Sequence, residues 1–394
     1  MKPQKRGIIP TIRLSKLFRA FFSSQQSSGI LLVAVTAASL FISNSIWGED
    51  YRSFWNFHFG TEAYHLHLEH SITEWINDAL MAVFFLLVGI EIKRELIEGE
   101  LSDRKRAMLP IFGALGGMAL PALFFIAFNI NSPDTFSGIG IPTATDIAFA
   151  IAILGVLGNR VPPSLKVFLT ALAIIDDLGA ILIIAIFYGQ GIHWAWLGAS
   201  AALVAIIYIV DKLDWDYTWL YITLGIALWF TLLHSGIHAT LSGVILAFML
   251  PRQSHKEKKM ADTLEHNLHS IVSFGILPLF AAANTAIFID VSMMNEIINP
   301  LSLGIFFGLV FGKPLGIVGF SYLADKLKIA EISKNITMKK LVAAGLLGGI
   351  GFTMSIFVSN LAFDNKALID MAKLSVIIAS VTAATAGYWL FSRS

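Results

Sequence analysis

The sequence predicts an all-α polytopic membrane protein with about twelve transmembrane helices, an inverted repeat and two crossing discontinuous helices. Three observations lead there. The 394-residue chain is 56% hydrophobic and only 14% charged, with mean hydropathy +0.72, whereas soluble domains run about 45–50% apolar and about 25% charged. Apolar runs of about 20 residues, enough to cross a hydrocarbon core of about 30 Å, recur along the whole length. They lack the alternation of β-barrel strands. Lys and Arg gather in every second connection, as the positive-inside rule requires of a multi-pass chain. The absence of Cys excludes disulfides, iron–sulfur clusters and thiolate metal sites. A net charge of +1 names no partner.

In chain order, a basic amphipathic arm comes first, over 1–27. Within it "PTIRLSKLFRAFF" places Ile12, Leu14, Leu17, Phe18 and Phe21 near one face, with Arg13, Lys16 and Arg19 mostly away. That pattern reads as a helix lying on the inner membrane surface. Residues 28–394 form the transmembrane domain, with spans at 28–46, 75–96, 108–129, 138–157, 164–188, 195–211, 217–233, 236–250, 268–289, 303–324, 341–363 and 370–392. The short pair at 217–250 also fits one re-entrant hairpin. Basic residues occupy the connections after the second, fourth, sixth, eighth and tenth spans and are missing near 130–137, 189–194 and 290–300. Both termini are therefore expected on the cytoplasmic side. The long outer connection, 47–74, contains "WNFHFGTEAYHLHLEH", which alternates on both sides of Gly60-Thr61 like a β-hairpin. His65, His67, Glu69 and His70 there read as a solvated face or, less simply, a metal site.

Function is expected where charge is costly. A charged side chain at mid-membrane costs about 2.5–3.5 kcal/mol on insertion scales. Asp146, Asp176, Asp177 and Lys313 lie deep in their spans, so together they cost about 10 kcal/mol, comparable with a domain's net stability. The bland alternative is an ion pair that merely fixes packing. Asp176 and Asp177 point about 100° apart on a helix, so one can face a cavity while the other leans on a neighbour. Asp146 follows "GIGIPTAT", where Pro142 lacks an amide donor, and an unwound break is expected around 142–147. A second break is expected in "GLLGGIGFTMSIF" from Gly345, Gly348, Gly349 and Gly351. Each broken helix is the middle of a trio, 108–188 and 303–392, and the trios start on opposite sides. This is an inverted repeat whose broken helices meet near the midplane. Crossed breaks pair like helix ends, and Asp146 is expected to offset the positive ends and Lys313 the negative ones.

Several long segments in one order, "TATDIAFAIAILGVLG", "FLTALAIIDDLGAILI", "GLVFGKPLGI" and "LGGIGFTMSIF", resemble the bacterial NhaA-type sodium/proton antiporters. "WINDALMAVFFLLVGIEIKREL", "SGIHATLSGVI" and "LEHNLH" extend the resemblance from about residue 28 to the C-terminus. It implies twelve helices, a homodimer in the bacterial inner membrane joined partly by the 47–74 hairpin, and exchange of sodium or lithium for protons. It places the family's paired aspartates on Asp176 and Asp177, its broken-helix aspartate on Asp146 beside Thr145, and its buried lysine on Lys313.

The chemistry of the groups agrees with that role. Sodium is a hard cation that takes oxygen ligands. Asp177 is expected as principal ligand, with Thr145, freed carbonyls and water; Asp176 is either a second ligand or the partner of Lys313. Competition of cation and protons for the buried aspartates would couple the fluxes, with no cofactor and no nucleic-acid partner. Two protons per sodium would make exchange electrogenic. Candidates for sensing pH are Glu265, His266 and His269 in "LEHNLH", Glu91 and Glu95 one turn apart, and His238. Ordinary interfacial charge is the alternative. Of the rivals, an intramembrane aspartyl protease needs a GxGD context that Asp146 and Asp177 lack, and a cation channel is obstructed by a buried lysine.

Overall fold

The computed structural model describes residues 25–60, 69–189, 191–251, 260–333 and 335–393. Most of the basic arm, and the hairpin tip with His65 and His67, lie outside the described residues. The first helix, α1 (Gln25–Ser43), turns through 117° into α2 (Gly48–Trp55). That eight-residue helix carries exposed Phe54 and follows exposed Trp47. A short antiparallel ladder follows, β1 (His58–Phe59) with β2 (His70–Ser71), in which Phe59 faces His70. The register is not that of a two-residue turn at Gly60–Thr61. Ser71 then caps α3 (Ile72–Ile97) through a capping box with Glu74.

The remaining helices of more than five residues are α4 (Arg104–Asn129), α5 (Pro133–Thr143), α6 (Ile147–Leu157), α7 (Pro163–Phe187), α8 (Trp194–Lys212), α9 (Thr218–Leu233), α10 (Leu241–Met249), α11 (Met260–Asn284), α12 (Pro300–Lys326), α13 (Met338–Gly348), α14 (Phe352–Ala362) and α15 (Lys366–Ser392). Among the described residues seven are long and apolar enough to cross alone, while α5/α6 and α13/α14 are broken pairs bent by 42° and 43°. With α1, α9 and α10 the described residues make twelve crossings. The 217–250 region is thus two elements, not one hairpin. At nine residues, α10 covers only about 14 Å. Irregular backbone at 234–240 continues it, and Ser235, Ala239 and Thr240 there are buried. Non-helical backbone at membrane depth is tolerated where protein covers it.

The two trios face each other. Helix α4 crosses α12 where Gly116 and Gly316 meet backbone to backbone, and a Cβ on either would overlap the other's carbonyl. Such close approach needs small residues because lipid supplies no hydrophobic drive between helices. One apolar core joins α3, α7 and α11 to α15, while a smaller one ties α8, α9 and α10 to Ile90 of α3. Among the described residues three spans each contain one π-helical segment: Ile76–Leu80 in α3, Val272–Ile276 in α11 and Gly308–Gly312 in α12.

Candidate ion site at the crossing of two broken helices

The breaks fall where the sequence weakens the helix. Helix α5 closes in a 3-10 stretch that contains Pro142 and runs to Thr143, Ala144 and Asp146 are extended, and α6 restarts at Ile147. In the second pair Gly349, Ile350 and Gly351 separate α13 from α14. Each break frees carbonyls behind it and amides ahead of it. The crossing satisfies them mutually. The Asp146 amide donates to Ile350 O at 2.6 Å. The Asp146 carboxylate accepts from Phe149 N at 3.1 Å, capping α6, and from Thr353 N at 3.0 Å and Thr353 Oγ1 at 2.5 Å, capping α14. One carboxylate therefore serves both helix N-termini. On the other side Lys313 Nζ donates to Thr143 O at the C-terminal end of α5. Charge of each sign thus sits on the helix ends of opposite sign.

Helix α7 supplies the pair. Asp176 and Asp177 are 0% and 2% exposed, and their neighbours differ as their 100° separation requires. Asp176 Oδ2 pairs with Lys313 Nζ at 3.0 Å and lies 2.6 Å from Thr145 Oγ1. Asp176 is therefore the partner of Lys313. Thr145 Oγ1 also lies 2.8 Å from Gly348 O, the last residue of α13. Thr145 is 0% exposed and is committed to Asp176 and the crossing. Asp177 instead lines a cavity of about 160 Å³ with Asp146, Thr353, Thr170 and Glu91. Its Oδ1 is buried and has no hydrogen-bond partner among the described residues, and the same holds for Asp176 Oδ1. Leaving a buried acceptor unfilled costs about 1–3 kcal/mol or more, so each oxygen calls for a proton or a cation.

The cavity's far end brings together some of the sensor candidates. Glu91, Arg94 and His269 line it. Arg94 pairs with Glu265 and lies 3.7 Å from Glu95, whose carboxylate accepts from Glu100 N at 3.0 Å. His266 is on the exposed side of α11. His238 is elsewhere, its Nε2 2.6 Å from Tyr188 O at the end of α7. Sequence reasoning counted Arg94 only as loop charge and passed over Thr353, although it lies in a quoted motif. It also missed Lys373, which is 7% exposed on α15. Lys373 is close enough to the start of its helix to read as interfacial, and no composition signal separates the two readings.

The match to known proteins is extensive. The model of the family described as Na+/H+ antiporter 1 matches residues 19–391. The chain is 46% identical over 380 residues to the Na+/H+ antiporter NhaA of Cytophaga hutchinsonii, covering 96% of each chain. It is 48% identical over 383 residues to NhaA of Dechloromonas aromatica, again covering 96% of each. With NhaA 1 of Klebsiella pneumoniae it shares 47% identity over 381 residues at the same coverage.

Proposed function

The chain belongs to the Na+/H+ antiporter 1 family and exchanges sodium for protons across a membrane, and from that premise we propose how its own residues couple the two ions. Asp177 is the transported cation's principal ligand. The observation that carries this is that Asp177 lines the cavity it shares with Asp146 and Thr353 while its buried Oδ1 is left unfilled. Sodium or lithium reaches it through that cavity, and water supplies the remaining oxygens. Asp176 is held by Lys313 and Thr145, and acts by setting the field at Asp177 and by taking a proton on its own free oxygen. Thr145 positions Asp176 and does not bind the ion directly.

Charge bookkeeping supports an electrogenic exchange. Three carboxylates face one ammonium. The two helix N-termini at Asp146 bring about +0.5 each, and the paired C-terminal ends offset that with about −0.5 each. The ionised site is then near −2. Two protons neutralise it, whereas one sodium ion leaves it at −1. Exchange on those terms moves one net charge per cycle, and a membrane potential negative inside expels sodium. The groups at the cavity mouth, Glu91, Glu95, Arg94, Glu265 and His269, form the pH-responsive element of this reading; His238 and His266 do not take part. The protein works as a homodimer in the bacterial inner membrane, with both termini cytoplasmic, as the alternation of Lys and Arg supports.

The deciding experiment is Asp177→Asn in proteoliposomes. Sodium-dependent proton movement, read with a pH dye, is expected to vanish. Exchange at the parental rate would remove Asp177 as the ligand.

A further inference from the structure

The coupling scheme leaves one buried cation without a task. Lys373 Nζ donates to Asn284 Oδ1 at 3.2 Å. The same oxygen accepts from Asn360 Nδ2 at 2.7 Å and Asn77 Nδ2 at 3.4 Å, and Asn284 Nδ2 returns a bond to Asn77 Oδ1 at 2.8 Å. Three side chains, from α3, α14 and α15, therefore close on one amide of α11, and that Asn284 is 1% exposed. An ionisable group buried within a span is costly to place and rarely idle.

Helical period places this cluster on the line of the ion cavity. On α3 the cavity face runs Glu91, Val88, Phe84, and the same stripe continues through Met81 to Asn77. On α11 it runs His269, Ser273, Leu277, then Phe280 and Asn284. On α14 Thr353 lines the cavity, and Phe357 and Asn360 follow. On α14 steps of four and three residues keep the set on one face; on α3 and α11 a π-helical segment lies within the run, and the bonds that join Asn77, Asn284 and Asn360 bring the three ends together. The three helices thus leave the cavity, pass packed phenylalanines and end in amides. Phe357 sits 5.4 Å from Phe85 and 6.3 Å from Phe280, centroid to centroid. From Leu277 to Asn284, as from Thr353 to Asn360, is about 10 Å of helix. An apolar septum of that thickness divides the carboxyl cavity from the amide cluster.

We propose that Lys373, with Asn77, Asn284 and Asn360, is the gate at the end of the ion route opposite the cavity. The ammonium holds it shut by occupying Asn284 Oδ1, and the transported cation opens it by taking that oxygen. An ammonium and a sodium ion are both monovalent cations seeking oxygen, so they exclude one another there. Asparagine amides suit such an exchange because they bind a cation without holding it by charge. Asp370, three residues before Lys373 and partly buried, offers the displaced ammonium a counter-charge. The inference rests on the antiport reading.

The chain's lack of cysteine makes any introduced thiol unique. Met354→Cys places one on the cavity wall. A membrane-impermeant methanethiosulfonate reagent applied to the opposite face reaches it only through the gate. Adding Lys373→Met is expected to raise that opposite-face labelling rate by about tenfold, the shift in open population that loss of the lock brings. Asn360→Ser raises it less, and Lys373→Arg keeps the low parental rate. Opposite-face rates equal to the parent's in both Lys373→Met and Asn360→Ser overturn the gate, even if both variants melt earlier, since a merely structural knot predicts that combination. Should Lys373→Met not reach the membrane, Asn360→Ser carries the test. Absence of sodium-dependent proton movement in the parent would sink the antiport reading instead, and labelling does not depend on it.

Discussion

Asp176 and Lys313 form an ion pair at 3.0 Å with neither side chain exposed. Taking two charges from water is costly, and their attraction repays it only while both are present. Lys313→Met is therefore expected to lower the stability of the detergent-solubilised protein by about 3–5 kcal/mol, read by thermal melting. Asp176→Asn added to it restores most of that loss, because a neutral pair leaves no orphan charge. Equal losses in single and double variants would contradict the pairing. Such residues were legible at once: an aspartate or lysine in an apolar run is so costly that its presence is a signal. Thr353 and Asn284 were not. A hydroxyl or amide in a membrane helix is cheap enough to pass as packing, and only the fold shows that Thr353 holds Asp146 and that Asn284 gathers three donors.

The broken helices stand or fall together. Thr353 gives Asp146 both an amide and a hydroxyl, so Thr353→Val leaves the carboxylate short of a charge-assisted hydrogen bond. A loss of about 1.5–3 kcal/mol is expected, with weaker sodium affinity, since α6 and α14 lose their common anchor. Thr353→Ser keeps both properties near parental values. Isotope-sodium binding and melting on the two variants check this; a Val variant that binds like the Ser variant would remove Asp146 from the site's scaffold. Both breaks were readable from Pro142 and the glycines at 345–351, because those residues weaken a helix wherever they fall. The limits were not: Pro142 is still inside α5, and unwinding starts only after Thr143. The π-helical segments were also illegible, since one extra residue per turn hardly disturbs an apolar pattern.

For the whole molecule, the exchange is a linkage between protons and a cation. A ligand that must shed protons to bind the ion binds it more tightly as pH rises and more weakly as pH falls, by about tenfold per pH unit for each proton released. Sodium affinity measured across pH gives that slope, and a flat line would remove the competition. If one net charge moves per cycle, a potential of 100 mV, about 2.3 kcal/mol per charge, sustains about a fiftyfold sodium gradient. Proteoliposomes held at that potential with valinomycin and potassium are expected to reach it, and an electroneutral exchanger would not respond. Twelve crossings and the inverted repeat were legible because lipid forces long apolar runs and basic connections. The packing of α4 on α12 at Gly116 and Gly316 was not, since many glycines in the chain are equally small. The three π-helical segments have a mechanical consequence. Each holds a residue more than an α-turn needs, and returning it to the regular ladder shifts the helix beyond it by about 1.5 Å and 100°. Asn77 lies in one such segment, Ser273 in another, and Lys313 directly follows the third. Slack of this kind lets a span twist its polar side chains past a neighbour while every backbone amide stays bonded.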